Sequence, residues 1–256
     1  MTMAEKLTTI AENRQKIYNK GVTDGKQAEY DAFWDASQLN GNRGVYEAAF
    51  AGQGWDDETF NPKYPIVVTG SSWNMFYSCN VKDGYEILKN MDFSKCTLLG
   101  STFAQCHMKH LGTIDCRNVK SVSNLFYHAR NLQTIDKIIV NADNTFSSLF
   151  DNTLSLKNVA FDGEIGNNLV MAGTYSGQKW GDKLTRVSIE SIMNHLSDNS
   201  GGNSVKTLTL SKTAVDREFE GISAADFTTI VPGSSSLDWF DLDISARMKN
   251  WTITLV

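Results

Sequence analysis

The sequence predicts an α/β repeat fold: a solenoid of short parallel strands, preceded by an N-terminal helical segment and followed by an α/β C-terminal cap. Two interleaved series of apolar residues that share one spacing predict this class. The chain has 256 residues, of which 41 % are hydrophobic and 21 % are charged, so it can bury a sizeable core. The hydrophobic fraction is too high for a disordered chain, and no apolar run approaches the ~18 residues that a membrane span needs.

The first series places apolar residues at the first, fourth and sixth positions of a short pattern. The end of this pattern alternates with period 2, which predicts a short strand with one buried face. The last residues of successive copies are 23, 24, 21, 28 and 21 residues apart. The six copies are Leu88/Met91/Phe93, Leu111/Ile114/Cys116, Ile135/Ile138/Val140, Leu156/Val159/Phe161, Leu184/Val187/Ile189 and Val205/Leu208/Leu210.

The second series is an aromatic residue followed by two variable residues and a small one. Its copies are Phe76–Cys79, Phe103–Cys106, Phe126–Ala129 and Phe150–Thr153, at steps of 27, 23 and 24 residues. Two interleaved series with a period of about 20–29 residues are the signature of leucine-rich repeats, whose stacked coils share one interior. The expected repeat core contains Phe76, Phe103, Phe126, Phe150, Leu111, Ile114, Ile135, Ile138, Leu156 and Val159.

These patterns divide the chain into four regions. We expect an anchoring or oligomerisation helix at 1–25, a helical cap and connector at 26–65, the repeat solenoid at 66–210 and the C-terminal cap at 211–256. The first helix has too little apolar surface to be stable alone in water. The apolar residues on one of its faces are therefore candidates for oligomerisation or anchoring: Leu7, Ile10, Ile17 and Tyr18.

Toward the C-terminus, the sequence contains helix patterns, and the repeat pattern is weaker there. Ser188 reads as a helix N-cap, so Ile189 belongs either to a helix or to the fifth strand. Ser211 predicts a short helix through about Phe219, and the apolar residues of 236–249 predict a last helix. Residues 251–256 alternate and predict a closing strand.

Motifs that carry catalysis or bind metals are absent. Cys79, Cys96, Cys106 and Cys116 lack the paired spacing of a zinc site, and we expect them to be small buried residues. The histidines, including His107 and His128, have no orienting carboxylate in the sequence and are expected at surface or turn positions. Asp56–Glu58 is read as a solvated acidic segment rather than a glycosidase pair. We therefore predict no catalytic residue, no metal and no cofactor.

Two tryptophans are candidates for sugar binding. Trp55 and Trp73 could form a carbohydrate platform because an indole face stacks on a sugar ring, with packing in the core or cap as the alternative. Apart from this pair, the sequence does not indicate which residues bind a ligand.

Two resemblances to known proteins follow from these residues. The Phe103–Cys106 pattern and the segment Leu111–Asp115 resemble the BspA-like leucine-rich repeats of bacteria, over roughly residues 66–210. The flanking segments resemble short leucine-rich-repeat proteins that phages and prophages of gut bacteria encode among their tail and baseplate genes. That second resemblance implies no catalytic residues, and it rests on Lys26–Asp35, Gly41–Arg43, Ala49–Gly52 and Asn250–Val256.

The leading hypothesis is a non-enzymatic virion protein of a phage or prophage, a tail or baseplate appendage that recognises the host surface. Its expected partners are other virion proteins bound through the N-terminus, a host-surface protein or glycan, and copies of itself in a trimer, by analogy with tail fibres. The net charge of −5 argues against nucleic-acid binding. The expected location is the virion, and the host cytoplasm during assembly.

Two alternatives stay open. A bacterial cell-surface adhesin with the same fold needs an export route, whereas the charged N-terminus lacks the apolar stretch of a signal peptide. A polysaccharide-degrading tail enzyme would release sugar fragments from the host surface, which a binding protein would not.

Overall fold

The computed structural model describes residues 66–79, 91–202, 204–219 and 239–256. The predicted regions 1–25 and 26–65 lie outside the described residues, and so do Leu7, Ile10, Ile17, Tyr18 and Trp55. The strands are β1 (Ile66–Ser71), β2 (Met91–Leu98), β3 (His110–Asp115), β4 (Thr134–Val140), β5 (Asn158–Gly163), β6 (Leu169–Val170), β7 (Gly173–Tyr175), β8 (Gln178–Trp180), β9 (Lys206–Leu210) and β10 (Trp251–Leu255). The helices are α1 (Arg186–Asn194), α2 (Lys212–Glu218) and α3 (Trp239–Met248).

The strands of the described residues form four small sheets. β1 and β2 form a parallel pair, and β3, β4 and β5 form a parallel sheet in sequence order. β9 lies between β10 and β6 in a second three-stranded parallel sheet, whereas β7 and β8 form an antiparallel hairpin. In the central sheet Leu111 is in register with Ile135, which is in register with Val159.

The prediction of a leucine-rich-repeat solenoid is wrong. β2 and β3 belong to separate sheets because β2 extends beyond Phe93, whereas β3 ends before the matching residue Cys116. β2 therefore lies later in its segment than β3 lies in the next segment, and the two strands do not pair side by side. After β5, the chain continues into an antiparallel hairpin and a helix. The described strands accordingly do not merge into one continuous sheet, and the segments do not close into a solenoid.

The fifth copy of the apolar series lies in a helix rather than a strand. Thr185, not Ser188, is the N-cap residue of α1, and Val187 in the first turn is 73 % exposed. Ser188 lies within the helix, where its hydroxyl oxygen accepts a hydrogen bond of 2.9 Å from the Val159 amide of β5. The polar side chain thus docks the helix on the sheet instead of starting the helix.

Four turn segments follow the first strands, and their backbones are hydrogen-bonded to one another in register. We define them as residues 72–79, 99–106, 122–129 and 145–153. The amide of each of the first three phenylalanines donates to the carbonyl of the residue that precedes the next phenylalanine. These bonds run from Phe76 to Thr102, from Phe103 to Leu125 and from Phe126 to Leu149, at 2.8, 3.0 and 3.1 Å.

Each phenylalanine lies midway between two residues with left-handed backbone. The flanking residues are Asn74 and Ser78, Ser101 and Gln105, Asn124 and His128, and Ser148 and Asn152, with φ between 50° and 63°. A residue other than glycine is uncommon in this region, where asparagine is among the best tolerated types. The repeated pair reverses the chain around the phenylalanine and fixes where its side chain points.

The four phenylalanine rings form a buried column. Consecutive ring centroids are 5.3, 6.1 and 5.3 Å apart, and the ring planes are within 17° of parallel. These separations lie in the range of favourable aromatic pairs, each worth about 0.5–1.5 kcal/mol beyond its buried area. The residues expected in the repeat core are all buried: Phe76, Phe103, Phe126, Phe150, Leu111, Ile114, Ile135, Ile138, Leu156 and Val159.

Asn144 links two neighbouring loops inside the protein. Its side chain is fully buried, and its Nδ2 donates to the carbonyls of Cys116, at 3.1 Å, and Val119. Its Oδ1 accepts a hydrogen bond of 2.8 Å from the Asn141 amide. One amide group thus satisfies the Val119 carbonyl and the Asn141 amide, and it adds a second hydrogen bond to the Cys116 carbonyl, which also accepts from the Val119 amide.

We expect Phe126→Ala to lower the free energy of unfolding by about 3–5 kcal/mol, because it opens a cavity between two stacked rings. Phe146→Ala is the matched control, since Phe146 is only partly buried against the same core. Urea unfolding followed by circular dichroism measures both variants. An equal loss in the two would contradict the stabilising role of the column.

We expect Asn144→Ala to lower the free energy of unfolding by roughly 2–5 kcal/mol, because each buried group left without a partner costs about 1–3 kcal/mol. Asn118→Ala removes a similar amide bond, to the Ser94 carbonyl, at the exposed surface, where water replaces it. Chemical denaturation of both variants should therefore show a clearly smaller loss for Asn118→Ala. A loss below that of the control would exclude a structural role for Asn144.

Candidate ligand-binding surface

Aromatic side chains line the outer side of the turn segments. Tyr77 and Tyr127 directly follow the buried Phe76 and Phe126, so their side chains point outward. Ala104, which occupies the same position in the segment between them, is buried. Trp73 is 50 % exposed and lies beside Gly100, which has no side chain to hold the indole away. We call Trp73, Tyr77, Tyr127, His128 and Tyr175 the aromatic surface.

The hairpin β7–β8 brings Tyr175 to this surface. Its two turn residues, Ser176 and Gly177, both have positive φ, as the tightest hairpin turn requires. Trp180 is 4 % exposed and anchors the hairpin in the core, where its indole packs on Gly173. Tyr175 itself is 39 % exposed. The hairpin therefore presents an exposed ring from a firmly attached base.

Three rings of the aromatic surface touch one another. The ring centroid of His128 is 4.0 Å from that of Tyr127 and 4.5 Å from that of Tyr175. Tyr127 and Tyr175 meet edge to face at 6.3 Å. A hydrogen bond with Tyr175 raises the pKa of the Tyr127 phenol, and partial burial and the nearby Tyr175, Asp151 and Tyr77 raise it further. The Tyr127 hydroxyl consequently stays neutral and can donate or accept hydrogen bonds.

A cleft of about 400 Å³ adjoins the aromatic surface. We call it the recognition cleft. Its volume falls within the 300–1,000 Å³ range that is typical of ligand sites. His128 belongs to both features, so the cleft adjoins the cluster of Tyr127, His128 and Tyr175. The cleft is lined by Gln105, His107, His128, Arg130 and Asn131.

Arg130 is held in the recognition cleft by a neutral partner. With the Asn152 amide oxygen facing the guanidinium, Nε and Nη2 of Arg130 each donate to Oδ1 at 3.0 Å. Asn152 is fully buried, so the position of its side chain is fixed by the core. The arginine is therefore oriented by a neutral group, and among the described residues no carboxylate forms an ion pair with it.

His128 makes a backbone hydrogen bond and also has a buried ring nitrogen. Its amide donates to the Asp151 carbonyl at 2.9 Å, whereas its buried Nε2 has no hydrogen-bond partner in the described structure. Partial burial and the positive charge of Arg130 lower the pKa of the imidazole, and Asp151 opposes this shift. The ring is thus neutral at neutral pH.

A second, more open cleft of about 620 Å³ lies between successive loops. Arg117 in its lining is tied to Asp115 through Nε and Nη2, and Asn141 and Asn167 donate to backbone carbonyls of the preceding loops. These side chains are already used to hold the loops together. This cleft also lacks exposed aromatic rings, so it is the weaker candidate for ligand binding.

The cysteines are buried in the core. Burial raises the pKa of Cys96 and Cys116 and raises that of Cys106 to about 12. These three are therefore neutral thiols at neutral pH, and a neutral thiol is a poor nucleophile and metal ligand. Across the described ranges, no group of three or more His, Cys, Asp or Glu side chains is arranged to hold a metal ion.

Sequence reasoning singled out Trp73 but missed most of this surface. Tyr127 and His128 could have been found as the residues that follow a repeated buried phenylalanine. Tyr175 and Arg130 gave no such signal. The role of Tyr175 depends on the hairpin that brings it to His128, and the role of Arg130 depends on its contact with Asn152; both contacts appear only in the folded chain.

We expect His128→Asn to reduce the loss of stability in acid. Because folding lowers the pKa of His128, the unfolded chain binds the proton more readily, and the wild-type chain loses stability as the pH falls below about 6.5. Asparagine accepts the left-handed backbone at this position and does not titrate. Unfolding free energies at pH 7.5 and pH 5 should differ less in the variant, and an equal or larger difference would contradict the assignment.

No protein-family model matches the chain, and no curated protein or solved structure matches it either. The resemblance to BspA-like and phage-encoded repeat proteins therefore stays an interpretation of sequence patterns. In the part of the chain that the structure describes, no helix has the length and apolar character needed to cross a membrane. Function must consequently be inferred from the aromatic surface and the recognition cleft.

Proposed function

We propose that the protein is a non-enzymatic virion component of a phage or prophage, a tail or baseplate appendage that binds a glycan of the host surface. The aromatic surface and the recognition cleft form the proposed binding site. The observation that carries the proposal is the contact between Tyr127, His128 and Tyr175 at the surface beside a cleft of ligand size.

The composition of the surface suits carbohydrate. The faces of tyrosine and tryptophan rings stack on the apolar faces of sugar rings, and their polar ends bond to hydroxyl groups. Gln105 and Asn131 in the recognition cleft add amides that can both donate to and accept from hydroxyls. Aromatic rings and amides together match the alternating apolar and polar character of a sugar.

The surface is also organised before the ligand arrives. Tyr127 lies in a turn segment whose backbone is bonded on both sides, and Tyr175 lies on a hairpin anchored by Trp180. Ordering side chains on binding costs about 0.5–1.5 kcal/mol each, so rings that are already held in place bind with less loss.

The lining of the recognition cleft supports binding rather than glycoside hydrolysis. Glycosidases generally need two carboxyl groups on either side of the scissile bond. The described residues that line this cleft include no carboxyl group. The enzyme alternative is for this reason the less favoured one.

Attachment to the virion is the part of the proposal that rests on sequence alone. The apolar face of residues 1–25, with Leu7, Ile10, Ile17 and Tyr18, is the proposed contact with other virion proteins and with further copies of the chain. The trimer follows only from the analogy with tail fibres.

We expect Tyr127→Ala and Tyr175→Ala each to weaken binding to host-surface polysaccharide by up to about tenfold, because each removes one stacking ring. The probe is polysaccharide extracted from the surface of the bacterium in whose genome or phage the sequence occurs, and biolayer interferometry measures the affinity. Tyr175→Phe should keep most of it, since the ring is retained.

Met248→Ala on α3 is the control, because Met248 is exposed and outside the aromatic surface. Unchanged binding in both tyrosine-to-alanine variants would refute the proposed site. Release of reducing sugars from the same polysaccharide would refute the non-enzymatic role.

A further inference from the structure

Arg130 differs from the other arginines that the structure describes. Each of the other four forms an ion pair with a carboxylate at 2.6 or 2.7 Å: Arg117 with Asp115, Arg186 with Glu190, Arg217 with Glu218 and Arg247 with Asp243. Arg130 forms no ion pair within the described residues, and its guanidinium is bonded to an amide oxygen instead. Its positive charge is therefore available to a ligand.

Within the described residues, no carboxylate forms an ion pair with Arg130. The other residues that line the recognition cleft are two histidines and two amides. Asp151 is the nearby carboxylate, and it is close enough to influence His128 but forms no ion pair with Arg130. The cleft thus combines a net positive charge with hydrogen-bonding groups.

The geometry points to an acidic glycan as the ligand, with its carboxylate or phosphate group bound by Arg130 in the recognition cleft. This inference rests on the proposed function and specifies the chemical class of its ligand. Nε and Nη2 contact Asn152, which leaves Nη1 of the guanidinium free to donate to an oxyanion. Hydrogen bonds between guanidinium and carboxylate or phosphate are among the strongest that proteins make.

The neighbouring rings fit the same ligand. His128 lines the cleft and contacts both Tyr127 and Tyr175, so a sugar whose acid group binds Arg130 would lie next to the exposed rings. The acid group would select the ligand, while the rings would contribute contacts that any sugar can make.

The test uses the full chain and three oligosaccharides of equal length: one of uronic acids, one linked by phosphodiesters and one neutral. Isothermal titration calorimetry measures their affinities. We expect at least one acidic probe to bind about tenfold or more tightly than the neutral one, and higher salt to weaken only the acidic ligand. The preferred acidic probe identifies the anionic group as carboxylate or phosphate.

Arg130→Gln should remove this preference by weakening the acidic ligand about tenfold, while the neutral ligand binds as before. Arg130→Lys should keep part of the preference, because it keeps the charge but loses the guanidinium that Asn152 holds in place. Arg117→Gln is the matched control, an exposed arginine that already has a carboxylate partner. Circular dichroism verifies that each variant is folded.

The outcomes separate the two proposals. Equal affinity for acidic and neutral probes, reduced by Tyr127→Ala but not by Arg130→Gln, would overturn the acidic ligand and leave glycan binding intact. Failure of all three probes and of the host polysaccharide to bind would overturn both.

Discussion

The structure depends on the stacking of four phenylalanine rings whose backbones are hydrogen-bonded in register. Each amide bond from one phenylalanine to the residue before the next fixes the spacing of the segments, and the rings fill the space between them. The left-handed residues on either side of each ring restrict the backbone, so one segment cannot easily shift in register against the next. Because the register is fixed at the phenylalanine, the next residue always emerges at the outer surface unless it is as small as Ala104.

The candidate binding site follows from this arrangement. Tyr127 directly follows the buried Phe126 and lies outward, whereas Asn152, two residues after Phe150, is fully buried and bonds to Arg130. The hairpin then adds Tyr175 from a different part of the chain. The same turn segments thus carry both the buried column and the candidate binding surface, with the core and surface side chains only one or two residues apart.

Sequence patterns predicted part of this structure. The phenylalanine series and the apolar positions identified buried residues, and the helix after Ser211 and the strand at Trp251 lie where the sequence places them. The solenoid was wrong because equal spacing does not ensure that strands face each other, as β2 and β3 show. The candidate surface could not be predicted for a different reason: the contacts of Arg130 with Asn152 and of Tyr175 with His128 are tertiary contacts that leave no pattern in the sequence.

The left-handed residues have a consequence for how this protein can evolve. Positions 74, 78, 101, 105, 124, 128, 148 and 152 admit only the few side chains that tolerate this backbone. Tyr77, Tyr127 and Asp151 lie next to them but are free of that restriction, and their side chains are outside the column. Mutation there changes the outer surface while the scaffold persists, so sequence divergence can concentrate at a few exchangeable positions.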